Sequence, residues 1–366
     1  MPLALPPREP SLILDDKGRE LLIRAEQNLS RLDLAGQMVP SVEWFVYAFV
    51  RKEAVVSSQI EGTQATLIDL LAHEAEPAKQ TTNDVLEVCN YLDALAYCRR
   101  EMKRPKGVPL SMRLLHEAHR RLMKGVRGTN KLPGEVRRTQ HWVGGTRPGN
   151  ATYVPPPPEQ VPALLGDLEK FLHAESELHP LVRAGLVHVQ FESIHPYLDG
   201  NGRMGRLLVT LLLEHWGLLE EPLLYLSLFL KQHRDQYYHL LTQVRRDGDW
   251  EAWTNFFLEG VATIAEEAAQ GAHQLYALVT GDRERVLSSR AASVMALRLL
   301  EQLPRHPIVT IPEVVKLLST TKPTASKAVA VLEALSILKE TTGRKRDRTF
   351  SYHRYLDRLR AGTGPV

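Results

Sequence analysis

The run His195-Pro196-Tyr197-Leu198-Asp199-Gly200-Asn201-Gly202-Arg203-Met204-Gly205-Arg206 places a titratable base, a carboxylate, a glycine-rich turn and two guanidinium groups within twelve residues. It joins two apolar segments of helical period, Leu181 to Glu192 and Arg203 to Trp216, and so reads as a loop between two helices of the core. Gly200 and Gly202 permit positive φ and close backbone approach. A helix beginning near Gly202 leaves its first N–H groups unpaired, and together with the helix dipole these form an anion site. Arg203 and Arg206 are three residues apart, so both project from one face of the first turn. Two forked cations beside a set of N–H donors suit a triphosphate. Phosphates would repel Asp199 unless a divalent cation bridges them. Mg2+ is the expected ion, held by one carboxylate plus phosphates and waters. His195 is the candidate base, because an imidazole titrates near working pH.

Eight of the twelve positions follow the pattern H-P-x-x-[DE]-G-N-G-R-x-x-R, and the run resembles the signature of the Fic (Fido) family. The lead-in Val187-His188-Val189-Gln190-Phe191-Glu192-Ser193-Ile194 is similar as well. Tyr197 stands where Phe is usual, and its hydroxyl needs a partner if buried. The resemblance implies a mostly α fold, with a Fic-type helical core and a small β-hairpin flap. It implies a protein adenylyltransferase that moves AMP from ATP to a Ser, Thr or Tyr hydroxyl of a target protein, this chain among the targets. His195 would be the catalytic base and Asp199 the Mg2+ ligand. Gly200, Asn201, Gly202, Arg203, Met204, Gly205 and Arg206 would bind the nucleotide phosphates. In that chemistry the hydroxyl attacks the α-phosphorus in line and pyrophosphate leaves. Catalysis is then mainly positioning and charge stabilisation.

Ser57-Ser58-Gln59-Ile60-Glu61-Gly62 resembles the inhibitory motif of the same family, [ST]-x-x-x-E-[GN]. Ser57 and Glu61 are four apart on one helical face, and Gly62 can end that helix in a left-handed conformation. The resemblance implies that Glu61 pairs with Arg206, removing the cation that should receive the γ-phosphate. In some relatives the same glutamate supports removal of AMP, so brake and reverse catalyst both stand. Arg137 to Pro158 breaks the helical pattern with Val143-Gly144-Gly145, Arg147-Pro148-Gly149-Asn150 and four prolines, and reads as a hairpin. By resemblance it is a flap that holds the target segment through strand-to-strand hydrogen bonds, with Trp142, Val143 and Tyr153 in contact. An ordinary surface hairpin is the plainer alternative. Gln232 and Tyr238 are the candidates for the adenine or ribose, against an equal case that Tyr238 is core.

Around these motifs the 366 residues, 43% hydrophobic and 24% charged, suit a soluble globular chain of two or three domains. A net charge of +3 is too mild to demand a polyanionic partner. Cys89 and Cys98 can build neither a zinc site nor a disulfide framework, and fit a reducing cytosol. The N-terminus lacks a basic region followed by an apolar stretch, and Leu207 to Leu213 is too short to span a bilayer. A cytoplasmic protein with no membrane partner is expected. Further helices are predicted over Leu12–Leu32, Val42–Ser58, Leu67–Glu74, Asp84–Met102, Met112–Met123, Pro158–His173, Leu223–Asp247 and Trp250–Thr280. The expected divisions are residues 1–105 with the inhibitory motif, 106–280 as the catalytic core, and 281–366 as a C-terminal module. In that module Ile311–Leu318 and Pro323–Leu335 read as a helix pair, and Glu340–Arg354 as a basic hairpin, which resembles a winged helix. Thr341 to Arg360 holds seven Lys or Arg and two Asp. Thr324, Ser326, Lys327, Arg344, Lys345, Arg346 and Arg348 could contact DNA phosphates through residues 305–360, or the module could serve protein contacts or dimer packing. A homodimer is expected by resemblance only.

Overall fold

The computed structural model describes residues 1–8, 10–37, 41–76, 81–344 and 347–364. Its helices begin with α1 (Asp16–Gln37), α2 (Val42–Ile60), α3 (Leu67–Ala75), α4 (Asn83–Lys103), α5 (Met112–Leu122) and α6 (Val161–His173). They continue with α7 (Pro180–Ile194), α8 (Asn201–His215), α9 (Ser227–Gln232), α10 (Arg234–Asp247) and α11 (Trp250–Leu287). The C-terminal part holds α12 (Val294–Gln302), β1 (Ile308–Thr310), α13 (Ile311–Leu318), α14 (Lys322–Ala334), β2 (Lys339–Glu340), β3 (Thr349–Ser351) and α15 (His353–Leu359). No helix among the described residues is long and apolar enough to cross a membrane.

The fold is built around α7 and α8. Every residue of α7 from Leu181 to Ile194 is buried, as expected of a helix apolar on all sides. Pro180 takes the first helical position, and the His179 ring accepts the Leu181 N–H, so the start is capped from the sequence itself. α8 packs along α7, while α6, α10 and α11 close on the remaining faces. The last half of α2, Lys52 to Ile60, is wholly buried and runs between α4, α8 and α9. That course delivers Ser57 and Glu61 to the head of α8. The pair α4 and α5 approaches α8 from the other side, carrying Glu87 and His119. α1 lies along α11.

Three predicted helices differ in extent: α11 continues past the predicted end at Thr280 to Leu287, across the expected division at residue 280, and the other two differ for local reasons. The first starts at Asp16 instead of Leu12, because the Asp15 carboxylate accepts the Gly18 N–H at 2.7 Å and sets the start there. The expected helix Leu223–Asp247 divides into an irregular stretch, α9 and α10. Leu223 to Leu226 are buried without helical pairing. Ser227 begins α9, where its N–H donates to Glu53 at 3.0 Å and its hydroxyl also donates to that carboxylate.

Residues 137–158 do not form a paired hairpin ladder. One antiparallel bridge joins Val143 to Tyr153, with Val143 N–H donating to Tyr153 O at 2.8 Å and a return bond at 3.1 Å. The segment between is a bend with positive φ at Gly144 and Gly145 and a 3-10 turn at Pro148–Asn150. Pairing cannot extend past Tyr153, because the run Pro155 to Pro158 has no N–H to donate.

The C-terminal sheet is antiparallel in the order β1-β3-β2, with Val309 opposite Phe350 and Glu340 opposite Phe350 on the other side. The basic hairpin is therefore present but short. It ends at Ser351, and α15 follows where strand was expected to Arg354. Tyr352 and Tyr355 are buried and stack at 5.4 Å, and the Tyr352 hydroxyl donates to Asp282 of α11 at 2.8 Å. Neither β1 nor α12 was read from the sequence. Lys345 and Arg346 lie outside the described residues. The segment after α15 returns to α2: the buried Gln59 amide donates to Ala65 O at 2.9 Å and to Thr363 O at 3.0 Å. Lys231 of α9 donates to Gln59 Oε1 at 2.7 Å and also to Gly364 O.

Candidate functional site

The loop between α7 and α8 is held by its own residues. His195 ends α7 in the left-handed region (φ 50, ψ 61) and donates its N–H to Phe191 O at 2.9 Å. Gly200 is also left-handed (φ +77) and lies against the Met123 sulfur and the His119 ring, so a side chain there would be strained and crowded. Asn201, buried, staples the turn: its Oδ1 accepts Tyr197 N–H at 2.9 Å and its Nδ2 donates to Tyr197 O at 2.8 Å. The Tyr197 hydroxyl has the partner its burial requires, His116 Nδ1 at 2.9 Å. His119 stacks on the Tyr197 ring at 3.7 Å. Because Gly134 N–H donates to His119 Nδ1 at 2.8 Å, the proton sits on Nε2, which donates to Asp199 O at 3.0 Å. Burial lowers the pKa of this ring to about 4, so it remains neutral at pH 7 and keeps that pattern.

Both arginines of the loop are buried. Arg203 donates to Glu87 of α4 at 2.9 Å, and Glu87 also accepts Arg127 Nε at 2.7 Å. Arg206 donates from Nε to the Ser57 hydroxyl at 2.8 Å, and from Nη2 to Ser57 O at 2.9 Å and Glu61 Oε1 at 2.6 Å. Burial works against its charge, Glu61 together with Tyr237 and Tyr238 outweighs it, and the net pKa is raised. Gly202, in the first turn of α8, leaves the space this requires. A Cβ there would collide with Glu61 Oε1 and come within 2.9 Å of Arg206 Nη1. The Glu61 carboxylate therefore lies in a notch at the N-terminus of α8, where the dipole and free N–H groups favour an anion. Gly62 follows with φ +96, as a helix-ending glycine.

His195 is half-buried, and its Nδ1 has no hydrogen-bond partner. Burial lowers its pKa to about 3, with His141, Arg245 and Arg137 adding to the effect, so the ring is neutral at pH 7. The His141 ring of segment 137–158 stacks beside it at 5.6 Å. Asp199 is half-exposed; its Oδ1 accepts Gly200 N–H at 2.6 Å and lies 3.8 Å from Arg203 Nη2. Its second oxygen takes no hydrogen bond among the described residues. Met204 is fully buried and anchors α8. Gly205 lets α8 approach α7, since a Cβ there would lie 2.7 Å from Glu192 Oε1.

The structure brings together His195, Asp199, the loop 200–206, Ser57 and Glu61. Tyr238 lies near enough to Glu61 and Arg206 for both to act on its hydroxyl, whose pKa is raised first by burial and then by Glu61. Gln232 ends α9, is exposed, and makes no hydrogen bond to the loop among the described residues. Sequence reasoning missed Glu87, His119, Arg137, Glu192 and Arg245. Glu192 is buried with Oε1 unpartnered, and burial raises its pKa to about 7. Arg245 donates to Glu192 O at 3.0 Å, and its guanidinium lies 3.9 Å above the Tyr153 ring. For Glu87, His119 and Glu192 the available signal was a polar side chain on a buried helical face; Arg137, outside any helix, and Arg245, on the polar helix α10, gave none.

Two family models match the chain: Fic/DOC family N-terminal over residues 19–99, and Fic/DOC family over residues 109–213. Together they take in just over half of it. The chain is 32% identical over 206 residues to protein adenylyltransferase Fic of Drosophila grimshawi, covering 56% of this chain and 38% of that protein. It is 36% identical over 152 residues to the protein of the same name from Culex quinquefasciatus, covering 41% of this chain and 27% of that one. The matches thus span less than half the length of these relatives. Among solved structures, a Fic family protein from Desulfovibrio desulfuricans G20 superposes with a TM-score of 0.59 at 22% identity, over 93% of this chain and 97% of that one. Fic-1 (aa134–508) from C. elegans gives 0.54 at 21% identity, over 72% of this chain and 73% of that one. At these identities the structures speak for the fold.

Proposed function

The chain belongs to the Fic/DOC family, and from that premise we propose that it is a protein adenylyltransferase held in check by its own Glu61. In this reading it transfers AMP from ATP to a Ser, Thr or Tyr hydroxyl of a protein, this chain included. The observation that carries the proposal is the buried Arg206 fork, spent on Ser57 and Glu61 at the head of α8. An anionic side-chain group already lies in the notch that a phosphate would take.

The residues fit a nucleotide with its metal. Arg203, fixed by Glu87, and the N–H groups at the start of α8 would hold the phosphate chain. Arg206 would join them once Glu61 leaves. Asp199 has an oxygen free of hydrogen bonds among the described residues and would hold Mg2+, which when bound offsets charge on the phosphates. Asn201 and His119 keep the loop in shape, the latter through the Asp199 carbonyl. The neutral His195 would take the proton of an incoming hydroxyl as it attacks the α-phosphorus. In the resting arrangement Glu61 denies the nucleotide one cation and places a negative charge against it.

The same reading takes residues 305–360 as a winged helix, supported by the helix pair α13 and α14 and by the strand order β1-β3-β2. Lys322, Lys327, Arg344 and Arg348 are exposed there and give duplex DNA a basic surface.

Incorporation of label from ATP labelled at the α-phosphate tests the proposal. Glu61→Gly should incorporate more than wild type, by about tenfold or more. Glu61→Gly combined with His195→Ala should incorporate none. Intact mass after incubation with Mg2+ and each nucleoside triphosphate should show an added AMP. If Glu61→Gly gains no mass with any of them, the reading is wrong.

A further inference from the structure

Segment 137–158 is fastened to the end of α7 that carries His195. A helix leaves its last carbonyls without intrahelical partners, and here residues outside the helix take them in succession. Arg245 donates to Glu192 O at 3.0 Å, and the Tyr153 hydroxyl to Ser193 O at 2.6 Å. Arg137 takes the rest. Its Nη2 donates to Ile194 O at 3.5 Å, its Nε to His195 O at 2.9 Å, and its backbone N–H to Pro196 O at 2.9 Å. From the same guanidinium, Nη2 donates to Pro156 O at 2.5 Å and Nη1 to Thr139 O at 3.4 Å. Arg137 is 1% exposed, and no carboxylate pairs with it among the described residues. This buried guanidinium commits four of its five N–H groups to carbonyls alone, a set fixed by geometry and not by a charge partner. It joins both feet of segment 137–158 to the left-handed residue that bears the imidazole. His141, two residues beyond Thr139, stands against that imidazole. A hydroxyl reaching His195 from this side passes the segment.

We propose that Arg137 is the positioning residue that fixes segment 137–158 in register with the His195 imidazole, and so sets where an acceptor hydroxyl meets the base. The inference rests on the adenylyltransferase reading for its kinetic consequence and on geometry alone for its structural one. Two variants separate fork from charge. Arg137→Lys keeps a cation but cannot reach Pro156 O and His195 O together, and Arg137→Gln removes the charge.

Both are made in the Glu61→Gly protein. Amide hydrogen exchange is followed at Val143, Thr152 and Tyr153 of the segment and at His195, against α8 and α11 as reference. The segment amides and His195 should exchange about tenfold faster or more in both variants, with α8 and α11 unchanged. ATP affinity should stay within about twofold while the rate constant of label transfer to the chain falls on the order of 100-fold, the size expected of a misplaced reactant. Unchanged segment exchange overturns the proposal. So does faster exchange throughout α8 and α11 with ATP affinity lost in parallel, since that would make Arg137 a general fold residue. If the Glu61→Gly parent itself transfers nothing, the adenylyltransferase reading fails, and the exchange pattern still decides the positioning claim.

Discussion

Replacing Gly202 with Ala should change sign with the residue at position 61. With Glu61 present, the added methyl and the Glu61 carboxylate compete for one notch, where the methyl would collide with Oε1 and lie 2.9 Å from Arg206 Nη1. The carboxylate must swing out, breaking a 2.6 Å bond to a buried guanidinium. A hydrogen bond to a charged group contributes about 1.5–3 kcal/mol. Against this, Ala in place of Gly within a helix stabilises by up to about 1 kcal/mol. The net effect of Gly202→Ala is a loss of roughly 1–2 kcal/mol. In the Glu61→Gly protein only the flexible end of Arg206 remains, 2.9 Å away and able to shift, and the same change should stabilise by up to about 1 kcal/mol. The coupling between the two sites is therefore about 2 kcal/mol, well above the few tenths expected of independent sites. Urea unfolding of wild type, both single variants and the double variant, followed by tryptophan fluorescence, measures it. Equal destabilisation in both backgrounds would show that Glu61 does not occupy the notch, and the phosphate-mimic argument would go with it.

Two further outcomes follow from the buried polar groups. The Glu192 carboxyl, 6% exposed, has its pKa raised by burial to about 7, so between about pH 4.5 and 7 the folded chain holds a proton that the unfolded chain has released. Its contribution is present below that window and is lost as pH rises through it, at most about 3 kcal/mol. Melting curves from pH 4 to 8 should therefore show Glu192→Gln gaining on wild type as pH rises and levelling off above 7; a difference independent of pH contradicts this. Tyr197→Phe removes the bond to His116 and keeps the stack on His119, so it should cost about 0.5–1.5 kcal/mol of stability and leave label transfer within about twofold. A tenfold fall in transfer would give the hydroxyl a role beyond support.

Much of the helical layout was legible because apolar residues recur at helical spacing. α5, α8 and α13 lie within one or two residues of their predicted bounds. The motif loop was legible because its chemistry is local, all within His195 to Arg206. What escaped was non-local. Glu87 meets Arg203 across 116 positions and Arg137 meets His195 across 58, and no spacing rule connects such pairs. The division of Leu223–Asp247 depends on Glu53 of α2 supplying the cap for Ser227. The strand that became α15 turns on Tyr352 reaching Asp282, seventy positions away. Residues 137–158 looked like a ladder because their turn residues are those of a hairpin, but their proline run withholds the donors.

The contact between Gln59 and Thr363 spans 304 positions of chain. At a synthesis rate of about 5–20 residues per second, roughly 15–60 s separate the emergence of the two. For about the second half of that interval α2 and the whole loop from His195 to Arg206 have been synthesised, while the Gln59 side chain lacks one of its two carbonyl acceptors. A newborn chain therefore has the loop from His195 to Arg206 before it has the clasp behind the Glu61 turn.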